Sequence, residues 1–149
     1  MIIRTLTFFL LSGITLFTLG SCQKDDQRDV DQELIEAFIL EHQLDADSTS
    51  SGLYYVIDEP GSSEHPTIDD VVTVNYLGFL LNGDVFDDGI DVTFGLNQVI
   101  AGWQEGIPLF GKDGKGLLII PSHLAYGDRP KAGIPANSVL VFEIHLTDF

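Results

Sequence analysis

The chain has 149 residues, 44% of them apolar, which is enough for one domain of ordinary size and too few for two. Seven basic residues stand against 23 acidic ones, a formal net charge of −16, so the surface repels phosphates and anionic lipid and a nucleic-acid partner is excluded from the expectations. A single cysteine leaves no disulfide within the chain.

Residues 1–21 read as an export signal: Arg4 supplies the positive start, and Leu6 to Leu19 form a mostly apolar run shorter than the ~20 residues of a comfortable membrane span. Leu19-Gly20-Ser21-Cys22 follows and resembles the bacterial lipobox, in which the cysteine thiol is lipidated and the chain is cut before it. Cys22 is therefore expected to carry a lipid anchor; a small buried hydrophobe is the plainer alternative for a lone cysteine. Buried acyl methylenes contribute ~0.8 kcal/mol each, so several chains hold firmly. Loss of Arg4 on cleavage takes the net charge from −16 to about −17. Residues 22–30, with Lys24, Asp25, Asp26, Arg28 and Asp29, read as a tether. The start of that stretch also resembles the basic-then-acidic signal of some surface-displayed bacterial lipoproteins, and a solvated linker explains it equally well. The expected location is exported and anchored to the outer membrane, on its periplasmic face or at the cell surface.

Residues 31–52 are expected to form a short helix, Asp31 to Leu44, and a Ser/Thr/Asp-rich loop. Leu34, Ile35, Phe38 and Ile39 share a face, while Asp31, Gln32 and Glu33 suit an N-terminal turn. The helix either packs on its own domain, which leaves the chain a monomer, or serves as a dimerisation helix; the first is the working expectation.

From Leu53 to Phe149 the pattern is mostly β. Leu53 to Ile57 is a strand ended by Glu59-Pro60-Gly61. Val71 to Leu81 alternates, with Val72, Val74 and Tyr76 on one face and Thr73 and Asn75 on the other. Asn82-Gly83 signals a hairpin into Asp84-Val85-Phe86. Val99 to Phe110, carrying Trp103, reads as one short helical segment, and Gly116 to Pro121 as an apolar strand. In Val139 to Phe149, Leu140, Phe142, Ile144 and Leu146 face one way and Glu143, His145 and Thr147 the other. Strands with one short helix predict an α+β domain, a sheet wrapped around a helix.

Several chemistries find little support. Gly106 to Lys112 fits the spacing of a phosphate loop, but Asp113 stands where a hydroxyl must meet magnesium, and a helix precedes it where a strand is needed. His42, His65, His123 and His145 do not pair at ligand spacing, and Asp84, Asp87, Asp88 and Asp91 miss the calcium-loop pattern, so neither metal nor cofactor is expected. Aromatics remain. Tyr76 and Phe142 fall on core-facing parity of two strands, Phe86 opens a third, and Phe94, Trp103 and Tyr126 lie in connecting segments. Taken singly, such residues are usually core.

Their order changes the reading. Val74-Asn75-Tyr76-Leu77-Gly78, Leu81-Asn82-Gly83-Asp84-Val85-Phe86-Asp87, Val99-Ile100-Ala101-Gly102-Trp103-Gln104-Glu105-Gly106, Ile120-Pro121 with Leu124-Ala125-Tyr126-Gly127, Gly133 to Ser138, and Leu140-Val141-Phe142-Glu143 occur in sequence over residues 53–149. Together these blocks resemble the FKBP-type peptidyl-prolyl cis-trans isomerases. The resemblance implies an FKBP-like antiparallel half-barrel sheet wrapped around one short helix. It implies a catalytic set of Tyr76, Phe86, Asp87, Trp103, Tyr126 and Phe142, with Phe94, Val99, Ile100 and Ile134 binding substrate. In that scheme Trp103 floors a proline pocket, the Ile100 N–H and Tyr126 hydroxyl hold substrate carbonyls, and Asp87 accepts a hydrogen bond at the rim. Two stretches depart from the family pattern: Phe94 to Val99 is short, which leaves one pocket wall open, and Lys112 to Gly116 is a long turn at an edge.

The partners implied are proline-containing polypeptides among exported proteins. Two other functions share the same residues: a pocket that grips Pro-containing segments with little turnover, and a lipoprotein whose domain is an interaction scaffold.

Overall fold

The structure is a computed structural model in which residues 26–149 are described; the expected export signal, Cys22 and the start of the tether lie outside the described residues. A helix α1 (Gln27–His42) precedes a six-stranded antiparallel sheet of β1 (Asp47–Ser48), β2 (Tyr54–Glu59), β3 (Val71–Leu80), β4 (Val85–Gly95), β5 (Lys115–Ile120) and β6 (Leu140–Asp148). Between β4 and β5 lies the short helix α2 (Ala101–Gly106). The strand order is β1-β2-β5-β6-β3-β4, so β6, last in the chain, sits near the middle of the sheet.

The α+β expectation holds, with several local corrections. Helix α1 starts at Gln27, inside the stretch read as tether, because Asp26 caps it by accepting from the Arg28 N–H. Polar residues there mark an exposed first turn, not a linker. It ends at Gln43 in the left-handed conformation (φ 53°). Ile35 and Phe38 are buried but Leu34 is 46% exposed, so the apolar face is narrower than its spacing suggested. The helix packs on its own sheet, against Ile119, Val139 and Val141. Asp31, expected in an exposed first turn, is fully buried in the second.

The Asn82-Gly83 hairpin forms as expected, but with Leu81 and Asn82 at the centre of the turn: the Gly83 N–H donates to the Leu80 carbonyl and Gly83 takes φ 87°. Strand β4 then runs to Gly95, far beyond Phe86, and so contains Phe94. Its run Asp87-Asp88-Gly89-Ile90-Asp91 has poor strand propensity and stands out in the sequence only as a cluster of acids. It forms the sheet edge, where charges and irregular register discourage pairing with another chain. The Val99 to Phe110 segment is two short pieces, α2 and a 3-10 turn (Ile107–Leu109), since Gly106 and Pro108 end the α-helix, and a further 3-10 turn (Leu96–Gln98) precedes it.

On the concave face α2 approaches β5 closely. A Cβ on Gly102 would collide with Ile120, and one on Gly106 with Leu118. These two glycines, one turn apart, let the helix sit directly on the strand. The main core gathers there around Leu118, Ile120, Leu140, Phe142, Ile144 and Leu146.

Candidate active site

Each wall of the site follows from strand parity. Tyr76 follows Val72 and Val74 on the concave side of β3, and in the ladder Ile144 of β6 lies opposite Tyr76 while Phe142 lies opposite Gly78. Gly78 has a steric duty: a Cβ there would come within 2.7 Å of the Phe86 ring and 2.8 Å of the Phe142 ring. On the edge side Gly78 pairs with Asp87 and Phe79 with Val85, so Phe86 is the extra residue of a bulge. That bulge lets adjacent residues serve one site, Phe86 behind the wall and Asp87 at the rim.

Trp103 is 5% exposed and stands in the first turn of α2. Its ring centroid lies 5.1 Å from that of Tyr76 and 5.1 Å from that of Phe142, both edge-on, and 5.3 Å from that of Phe94. Phe86 meets Phe142 edge-on at 5.5 Å. Such T-shaped contacts suit the ring quadrupoles. The indole Nε1–H is buried without a hydrogen-bond acceptor among the described residues.

A cavity of about 480 Å³ opens above this floor, lined by Tyr76, Asp87, Phe94, Val99, Ile100, Trp103, Tyr126 and Phe142, together with Val92 and Gln98. Eight of the ten residues expected from sequence thus share one hollow. The other two support it: Phe86 packs behind Phe142, and Ile134 is buried in the adjoining core. Val92 and Gln98 were missed. Val92 lies two residues before Phe94, so alternation would have found it had β4 been traced to its end. Gln98 belongs to the 3-10 turn Leu96–Gln98, which supplies the wall left open by the short Phe94 to Val99 stretch. The long turn at Lys112 to Gly116 is stapled to β6 through Leu146 and lines no part of the cavity.

At the rim the Tyr76 hydroxyl donates to Asp87 Oδ2 at 2.9 Å, and the Asp88 N–H donates to Asp87 Oδ1 at 3.0 Å. Burial, then the hydrogen bond and charge of Asp87, push the Tyr76 phenol up to about 12, so it is a donor throughout the ordinary pH range. Ile100 caps α2, where a helix start leaves N–H groups without intrahelical acceptors. Tyr126 closes the far side, with Lys131 Nζ 5.5 Å from its ring centroid. No cluster of three metal-ligating side chains occurs among the described residues. What the hollow offers is apolar contact framed by a few fixed donors and one carboxylate.

The sequence model of the FKBP-type peptidyl-prolyl cis-trans isomerases matches residues 62–147. The chain belongs to this FKBP family. It is 45% identical over 103 residues to the FKBP-type peptidyl-prolyl cis-trans isomerase FkpA of Aeromonas hydrophila, a match covering 66% of this chain and 38% of the relative. To FkpA of Escherichia coli K12 it is 45% identical over 105 residues, covering 68% and 39%. The match thus spans about two fifths of the length of these FKBP relatives. Among solved structures, FkpA from Escherichia coli superposes with a TM-score of 0.73 and 39% identity, covering 83% of this chain and 60% of that one. A peptidyl-prolyl cis-trans isomerase from Pseudomonas syringae gives 0.69 and 28%, covering 83% and 96%. The six-stranded FKBP-like sheet and short helix described above agree with these neighbours.

Proposed function

We propose that this chain is a peptidyl-prolyl cis-trans isomerase acting on X–Pro bonds of exported proteins, by non-covalent catalysis in the aromatic hollow. The observation that carries the reading is the meeting of Tyr76, Phe94, Trp103 and Phe142 around one open cavity with Asp87 and Tyr126 at its rim. Rotation about an X–Pro bond crosses a resonance barrier of ~18–20 kcal/mol and takes tens to hundreds of seconds unaided. At the twisted midpoint the amide loses its resonance and its oxygen sheds negative charge. A dry ring-lined pocket penalises the polar planar amide more than the twisted one, which lowers the barrier by differential binding. Trp103 is the floor beneath the proline ring, with Tyr76, Phe86 and Phe142 as walls and Phe94, Val99 and Ile134 completing the apolar enclosure. The Ile100 N–H and Tyr126 hydroxyl hold carbonyls of the twisted segment. Asp87 orients Tyr76 and acts by position, not as a base. The route needs neither nucleophile nor cofactor.

The test is a protease-coupled assay on an X–Pro peptide, using residues 23–149. Trp103→Ala and Asp87→Ala should each lower kcat/KM at least tenfold in folded protein. Refolding assistance with no peptide turnover would replace this reading with a gripping module, and pocket variants of full activity would discard the site.

Residues 1–21 are proposed to be removed on export and Cys22 to be lipidated, tying the domain to the outer membrane. Leu19-Gly20-Ser21-Cys22 supports this, and Cys22→Ser should abolish incorporation of a labelled fatty acid. No helix among the described residues is long and apolar enough to cross a membrane. The domain is proposed to work as a monomer, since the buried face of α1 is occupied by its own sheet; light scattering at assay concentration checks it.

A further inference from the structure

Helix α1 lies on the face of the sheet opposite the cavity, yet one of its side chains reaches the turn that carries Tyr126. Asp31 is fully buried and Ser122 is 1% exposed. Asp31 Oδ2 accepts from the Ser122 N–H at 2.8 Å and from its hydroxyl at 2.6 Å, across 91 positions of sequence. Asp31 Oδ1 accepts from Gln27 Nε2 at 2.8 Å. Both ion pairs among the described residues lie elsewhere, so this buried acid is held by hydrogen bonds and not by a cation.

The far side of Ser122 leads to the cavity. Its carbonyl accepts from the Ala125 N–H at 3.0 Å and from the Gly127 N–H at 2.8 Å, the residues on either side of Tyr126. Both flanks of Tyr126 are therefore bonded to one serine, beside further bonds from Leu124 to Pro121, from Arg129 to Tyr126 and from Asn137 to Gly127, and that serine is gripped by one aspartate from another element. An apolar residue at this place on α1 would extend the packing of Ile35 and Phe38; a buried carboxylate is costly unless every donor is in place. Packing alone does not account for it. A short, directional, three-donor arrangement accounts for a fixed orientation of the turn.

We propose that Asp31 is a positioning residue that holds Ser122, and through it keeps Tyr126 facing the cavity. This rests on the isomerase reading for its effect on rate, but not for its effect on the turn. Asp31→Ala should lower kcat/KM about tenfold, chiefly in kcat, because a loosened hydroxyl fails to hold the twisted carbonyl. Amide hydrogen exchange at Ala125 and Gly127 should quicken at least tenfold relative to β5. Asp31→Asn, whose amide oxygen still accepts from Ser122, should restore most of both. Ser122→Ala deletes only the hydroxyl donor and is the milder variant, read the same way should Asp31→Ala not fold, with about a threefold fall expected.

A folded Asp31→Ala or Ser122→Ala protein with unchanged exchange at Ala125 and Gly127 overturns the proposal whatever the activity. Quickened exchange with wild-type kcat/KM overturns the positioning role. A wild-type protein without turnover but with exchange quickened in the variants supports the clamp and strikes the isomerase reading alone.

Discussion

Strand β6 divides the molecule into two unlike interiors. Leu140, Phe142, Ile144 and Leu146 point into the concave core, whereas Val139 and Val141 point into the smaller core beneath α1. The buried members of the second core, apart from Phe38, are aliphatic, with Tyr54 and Phe79 partly buried at its margin, and a helix closes it. The first is ring-rich and stops short of closing, so that Trp103, Tyr76 and Phe142 keep faces toward the cavity. Aliphatic side chains deform to fill a gap, while edge-on rings hold one another apart at 5–6 Å and preserve it. Leaving that space unfilled is what separates the hollow from a plain core.

The sharpest way to break this contrast uses neighbours on β6. Phe142→Ala should destabilise the protein by about 3–5 kcal/mol and abolish peptide isomerisation in the fraction that stays folded. Val141→Ala, one residue away, should cost roughly 2 kcal/mol with kcat/KM of folded protein unchanged within about twofold; urea melts paired with the coupled assay read both. Equal activity losses would show that the two interiors are not separable. Gly78→Ala comes next. Its Cβ would meet the Phe86 and Phe142 rings, costing about 1–3 kcal/mol by overpacking and raising KM as the wall shifts inward, whereas Gly83→Ala, strained by its φ of 87° but with open space around its Cβ, should lower stability without raising KM.

A smaller effect concerns the rim. The Tyr76 phenol titrates at about 12 in the folded chain against about 10 when unfolded. Its contribution to stability is thus complete below pH 10 and is lost as pH rises from 10 to 12. Denaturant unfolding between those values should show wild type losing ground to Tyr76→Phe, whereas below pH 10 wild type keeps the advantage of its bond to Asp87. Smallest of all is Lys112→Ala. It removes an exposed ion pair to Asp148 and should leave both the melting temperature and the rate unchanged, because such pairs are screened by solvent.

Legibility in the sequence followed the same division. Strand β6 and the first half of β3 were plain because their alternation mirrors a one-sided core. Most of the cavity was found because its aromatics stand in fixed blocks. Strand β4 was hidden, since an edge strand is written in charges and glycine, and Val92 was lost with it. The limits of α2 were blurred by the 3-10 turn that Pro108 imposes. Asp31 looked like an ordinary residue of a helix start, for nothing near it in sequence hints at a partner as remote as Ser122.

The central place of β6 has one more consequence. Strand β5 never touches β3; both bond only to β6 on that side. Without Leu140 to Asp148 no strand pairing joins the ribbon bearing Tyr76 and Phe94 to the one leading to Tyr126, and contacts such as those of Trp103 with Tyr76 and Phe94 are left to hold them together. One strand thus supplies both the Phe142 wall of the hollow and the only ladder that fixes β3 relative to β5.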